Sequence, residues 1–147
     1  MKARLVASLV ILLSSCSTPE ERQRDVLMNQ IEKHLRLPVG AEILNDYARF
    51  YTTGGKDQVI AVYVLPSVLE RAANQQCEDL RSNGTSQTVP CVSLQVRNVK
   101  AGERIWVPTS ASLPFEDVSG CEVITLAYSV KDKRFEEIGC VGQRPKD

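Results

Sequence analysis

A chain of 147 residues holds enough material for one domain with its own core and little for a second. Its 18 basic and 18 acidic side chains cancel to a formal net charge of zero, and no basic block occurs along it. A nucleic-acid interface needs a concentrated positive surface, so nucleic acid is excluded as an expected partner.

The first residues form a targeting pattern. Lys2 and Arg4 precede an apolar run over residues 5–13, interrupted only by Ala7 and Ser8. A membrane-spanning helix needs about 20 predominantly apolar residues, and this run is about half that before Ser14, Ser15 and Cys16 break it. A basic start, a short apolar core and small residues at a cleavage point make a signal peptide. Leu13-Ser14-Ser15-Cys16 resembles the lipobox of bacterial lipoproteins: an aliphatic residue, two small residues, then the cysteine that is lipidated and becomes the first mature residue. The resemblance covers only about the first 16 positions. It implies a signal peptide over 1–15 and a mature chain over 16–147. Cys16 would carry several acyl chains, palmitate among them, and the domain would fold outside the cytoplasm. Several acyl chains together give stable anchoring where one gives only marginal binding. Ser17 after the lipidated cysteine implies transfer to the outer membrane, facing the periplasm. Loss of Lys2 and Arg4 leaves the mature chain slightly acidic.

From Ser17 a short tether enters a helix: Thr18 caps it, Pro19 suits its first turn, and Glu20 and Glu21 complement the helix dipole. Leu27, Ile31 and Leu35 recur at spacing four, flanked by Val26, Met28 and His34, so one face can be buried to about residue 35. Glu32 and Arg36 are expected as an i,i+4 pair, and Pro38 and Gly40 stop the helix. Residues 46–52 and 58–65 read as a hairpin around Thr53-Gly54-Gly55-Lys56-Asp57. The second of these strands is apolar on both faces and suits a central position covered by the first helix.

Ser67-Val68-Leu69-Glu70 has the form of a capping box, and Leu69, Ala73, Cys77 and Leu80 follow at helical spacing. A second helix is therefore expected to run on to Asn83-Gly84, with a polar loop over 82–90. Val92, Leu94 and Val96 alternate as in a half-buried strand, and 104–107 reads as another strand. Residues 110–120 read as a loop. Residues 121–128 and 133–141 form a second hairpin around Ser129-Val130-Lys131-Asp132.

Beside Cys16 stands an even set of four cysteines, Cys77, Cys91, Cys121 and Cys140, which in an exported chain implies disulfides. Four cysteines allow three pairings. The favoured pairing joins Cys77 to Cys91 and Cys121 to Cys140, because each pair brackets a turn, and a four-residue loop in the second hairpin sets Cys121 across from Cys140. No C-x-x-C occurs, and the spacing lacks the paired ligands of a zinc knuckle; no metal and no cofactor are expected.

No catalytic constellation emerges. His34, the only histidine, lies beside the apolar stripe far from any free nucleophile, and a general base needs one within hydrogen-bond reach. Glu116, Asp117 and Glu122 read as loop acids, since a glycosidase pair is defined by separation in space. Asn83-Gly84-Thr85 matches a glycosylation sequon but is first a turn signal. Trp106 and Phe115 flank a Pro- and Ser-containing segment and are the first expectation for an interaction surface, since aromatic residues dominate interface hot spots.

The expected molecule is an α+β domain, an antiparallel sheet with an N-terminal helix, a second helix and two disulfides. Beyond the lipobox it resembles in type the small uncharacterised lipoproteins common in proteobacteria, which implies no activity. The expected role is a lipid-anchored envelope protein, not an enzyme, that binds or supports an envelope protein or polymer. Inhibition of an envelope or host hydrolase and an unusual envelope enzyme are the alternatives.

Overall fold

A computed structural model describes residues 17–80, 84–90, 96, 98–114, 118 and 120–142. Helix α1, Pro19–His34, begins with a complete capping box: Glu21 N–H donates to Thr18 Oγ1 at 3.2 Å and Thr18 N–H to the Glu21 carboxylate at 2.7 Å. Such a cap satisfies two helix-end donors at once. Ile31 and Met28 are buried, Leu27 and Leu35 partly so, while Val26 and His34 face solvent. Full burial of each of the first two side chains contributes about 2 kcal/mol. The buried stripe is thus rotated toward Met28 from the one the leucine spacing suggested.

Strands β1, Ala48–Thr53, and β2, Gln58–Val64, form the expected antiparallel hairpin. They sit inside a five-stranded sheet with β5, Arg104–Trp106, β6, Val123–Ser129, and β7, Arg134–Cys140, in the order β5-β1-β2-β6-β7. The sheet is mostly antiparallel; β5 runs parallel to β1, with Phe50 opposite Ile105. Helix α1 covers one face, packing Met28 and Ile31 among Tyr47, Tyr51, Tyr63, Ile124, Leu126 and Tyr128. Helix α2, Pro66–Ala73, covers the other, where Val68, Leu69 and Ala72 meet Phe50, Val62, Val64 and Val123. Alternate side chains of β1 and β2 therefore enter different cores, which is why β2 is apolar from Val59 onward. No helix among the described residues is long and apolar enough to cross a membrane.

Three expectations need correction. First, α2 stops at Ala73, and its N-cap is Leu65 without a side-chain bond, so Ser67 does not cap it. Pro66, fitted to the first helical position, starts the helix before Ser67. Residues Gln76–Leu80 (β3) pair instead with Ser86–Pro90 (β4) as a separate two-stranded sheet. Cys77 is exposed, so no burial rewards the helical spacing there. Second, Val96 is helical rather than extended; Val92 and Leu94 lie outside the described residues. Third, the second hairpin turns over residues 130–133, one position later than expected, and a bulge falls between Ala127 and Tyr128. Both displace the pairing, so Ile124 lies opposite Cys140. Cys121, just before β6, still reaches Cys140 to form a disulfide with a Cα–Cα distance of 4.7 Å. It is the one disulfide with both ends among the described residues. Cys77 is not without a partner, but Cys91, to which the second expected bridge was assigned, lies outside them.

Candidate functional site

The polar groups that the fold brings together lie beneath α1, on the sheet face formed by β1, β2 and β5. In β1, Arg49 alternates with Tyr47 and Tyr51 toward α1 and is almost fully buried. A buried guanidinium must be paired, and Arg49 Nη1 meets Glu32 Oε1 of α1 at 2.9 Å. Its Nη2 donates to the carbonyl of Gly102, and its Nε is left without an acceptor. Arg104, at the start of β5, stands 3.6 Å from Glu32 Oε2 and donates to Asn29 Oδ1 at 2.5 Å. Glu32 therefore engages Arg49 and Arg104 rather than its helical neighbour Arg36, because two strands present fixed guanidiniums on the side where α1 packs.

Two tyrosines extend the cluster inward. The Tyr51 hydroxyl donates to Glu32 Oε1 at 2.6 Å and lies 2.9 Å from the Tyr63 hydroxyl. With its proton directed at the carboxylate, Tyr51 must accept from Tyr63, giving a relay from Tyr63 through Tyr51 to Glu32. Burial above all pushes both phenols above their ordinary range, with the neighbouring phenol and Glu32 adding to the effect at Tyr51. They remain protonated donors. Trp106 stacks on Tyr51 with ring centroids 6.5 Å apart, and the Arg24 guanidinium lies 5.6 Å from the Trp106 ring centre. The indole expected to be an interaction anchor is thus half-buried between a helix arginine and a strand tyrosine. Its partner in that expectation, Phe115, lies outside the described residues.

This arrangement fixes a helix on a sheet, its polar groups engaged with one another. Serine and thiol groups are absent from the cluster. Tyr47 on the same face is likewise committed, donating to Cys121 O at 2.7 Å and accepting from Glu42 N–H at 3.0 Å; its phenol too is raised, chiefly by burial. His34 stands exposed at the end of α1 with Nδ1 2.8 Å from Gln30 O, apart from these groups. Glu122 pairs with Arg71 of α2 at 3.0 Å, while Glu116, Asp117 and Asn83 lie outside the described residues. No group of three or more His, Cys, Asp or Glu side chains that could hold a metal occurs among the described residues. Surface clefts lie elsewhere. One runs between the two hairpin turns, lined by Lys56, Asp57, Ser129, Lys131, Asp132 and Glu136, and another lies between Glu70 of α2 and residues 98–101.

The loop between α1 and β1 carries two of the three exposed large hydrophobic side chains among the described residues, the third being Val26 of α1. Val39 is 95% exposed and Ile43 67%. Ala41 N–H bonds Pro38 O at 3.1 Å with Gly40 at φ 90°, so Val39 occupies a turn whose third position requires a residue tolerant of positive φ. Val39 O also lies 3.6 Å from Cys121 Sγ. A braced backbone therefore presents two aliphatic side chains to solvent. Sequence reading did not single out this loop or the Glu32 cluster. The available signal for the cluster was Arg49, a charge between two tyrosines on the inward side of a strand. No protein-family model, curated protein or solved structure matches the chain.

Proposed function

We propose that the chain is a lipid-anchored cell-envelope protein, held at Cys16, that binds an envelope protein through the 35–47 loop and catalyses no reaction. The observation that carries the anchoring is the lipobox-like Leu13-Ser14-Ser15-Cys16, after a basic and apolar start, two residues ahead of the Thr18 cap of α1. The binding role is supported by Val39 and Ile43, aliphatic side chains held outward on a braced loop. Preorganisation of that kind lowers the ordering cost of association. The absence of chemistry is supported by the mutual engagement of Glu32, Arg49, Tyr51 and Tyr63. A second disulfide, Cys77 with Cys91, belongs to the same reading of an extracytoplasmic domain. Inhibition of a hydrolase is a special case, favoured by the near-complete exposure of Val39 on a turn.

The test is site-specific photocrosslinking in cells producing the full chain, with the photoreactive residue at position 39 or 43 and, as control, at position 33 on the exposed side of α1. A discrete adduct from 39 and 43 that disappears in Cys16→Ala is expected. Equal labelling at 33, or an adduct indifferent to Cys16→Ala, would remove the binding role of this loop at a membrane.

A further inference from the structure

The topology gives the two ends of the molecule different characters. Arg24 near the start of α1 lies over Trp106 at the end of β5, Asn29 bonds Arg104 at its beginning, and Glu32 reaches Arg49. Helix α1 therefore runs opposite to β5 and to its parallel neighbour β1. Trp106 partners Tyr51, and β1 continues from there into the turn at residues 54–57. The 130–133 turn lies beside it, since Gln58 partners Ser129 and Val130 N–H bonds Asp57 O at 2.8 Å. The start of α1 and both hairpin turns thus share one end of the molecule, and the Cys121–Cys140 disulfide with the Val39 and Ile43 loop occupies the other.

The shared end is the one that a lipid at Cys16 would hold. From Cys16 to Pro19 is three residues, at most about 11 Å of extended chain. Arg24 lies only about 8 Å further along the helix axis. Exposed at this end are Lys56, Lys131, Lys133 and Arg134, against Asp57 and Asp132 in the same turns. Asp132 accepts from Ser129 Oγ, and Glu136 accepts from Gln58 Nε2. The first turns of α1 carry Glu20, Glu21 and Asp25 against Arg22 and Arg24, with Glu20 paired to Arg24 and Glu21 closing the cap, so the basic side chains of this end are those of the two hairpin turns.

Resting on the lipid-anchor reading, we infer that this end of the domain stands directly on the membrane. Lys56, Lys131, Lys133 and Arg134 meet the phosphates of anionic phospholipid headgroups, and the 35–47 loop points away. The short tether leaves no freedom to turn the molecule over, so the anchor selects the face. The cationic turns then draw it closer, as basic residues beside an anionic leaflet do.

Trp106, the only tryptophan, is a built-in probe near that end. The acylated full-length protein is reconstituted in phosphatidylcholine vesicles carrying a dansyl-headgroup lipid in the outer leaflet, with or without phosphatidylglycerol, and energy transfer from Trp106 is read. Strong transfer is expected, rising with phosphatidylglycerol. A flexible insertion of about a dozen residues between Ser17 and Thr18, which lengthens the reach several-fold, should weaken it at least twofold. The triple change Lys56→Glu, Lys131→Glu, Lys133→Glu should abolish the response to phosphatidylglycerol while the protein still floats with the vesicles. Weak transfer from vesicle-bound wild type, no greater than from the insertion variant, overturns the orientation. A triple variant that keeps the phosphatidylglycerol response overturns the headgroup contact. Protein that carries no acyl chain and does not float overturns the anchor reading itself, and this inference with it.

Discussion

Glu32 decides how firmly α1 is seated. Its carboxylate is the only acid in contact with Arg49 and Arg104 among the described residues, and Arg49 is buried enough that losing its counter-charge leaves a guanidinium in an apolar surrounding. Breaking such a pair by removing one partner is far costlier than never having built it. Glu32→Ala is expected to lower unfolding stability by about 3 kcal/mol, read from the urea midpoint. The same change in an Arg49→Met background should cost less by about 1 kcal/mol or more, the coupling between contacting groups; equal costs in both backgrounds would show that the ion pair does not seat the helix. The tyrosines supply a pH test of the same cluster. Tyr47, Tyr51 and Tyr63 hold their protons above the ordinary phenol range, whereas in the unfolded chain they release them near pH 10. Above that pH the folded state binds more protons than the unfolded state, so stability falls as pH rises, and below it this contribution is fully present. Alkaline titration should therefore show phenolate absorbance from these three only together with unfolding. A smooth rise from these three in the folded protein would contradict their burial.

The two helices differ in how their beginnings are made, and that difference can be measured. Thr18→Ala removes a capping box and is expected to cost about 1 kcal/mol. Ser67→Ala, one residue past the Pro66 that opens α2, should change stability by less than about 0.5 kcal/mol, and a larger loss there would restore the serine as a cap. This pair also shows what the sequence could convey. The start of α1 was legible because cap, proline and acidic first turn coincide at positions 18–21. The first hairpin was legible because Gly54-Gly55 separates two runs rich in aromatic and β-branched residues. The far end of α2 was not, because a four-residue spacing of Leu69, Ala73 and Cys77 describes a helix face only if that face is buried, and Cys77 is exposed. The parallel placement of β5 was equally hidden, since a three-residue strand carries no mark of its neighbour. The Glu32 cluster escaped for a related reason: the other members stand 17 to 72 positions from Glu32 along the chain, and Arg104 joins them only once β5 lies beside β1. The disulfide between Cys121 and Cys140 was found from a register that the bulge at Ala127 and Tyr128 displaces, and it forms because the residues before β6 carry Cys121 back toward the end of β7.

As a whole the molecule is a sheet clasped between two helices, with charges on the turns at one end and a braced aliphatic loop at the other. On the proposed anchoring, a lipid at Cys16, three residues from Pro19, would give the two ends unequal positions, one at a membrane and one free to meet a partner. The same proposal would limit what can be met, since a partner would have to come to the membrane surface. Intact mass of the protein extracted from membranes, before and after reduction and thiol alkylation, examines this foundation most directly. The expected result is a chain beginning at Cys16 with added acyl mass, whose four remaining cysteines are alkylated only after reduction. A chain that begins at Met1, carries no acyl mass and offers free thiols at once would contradict it.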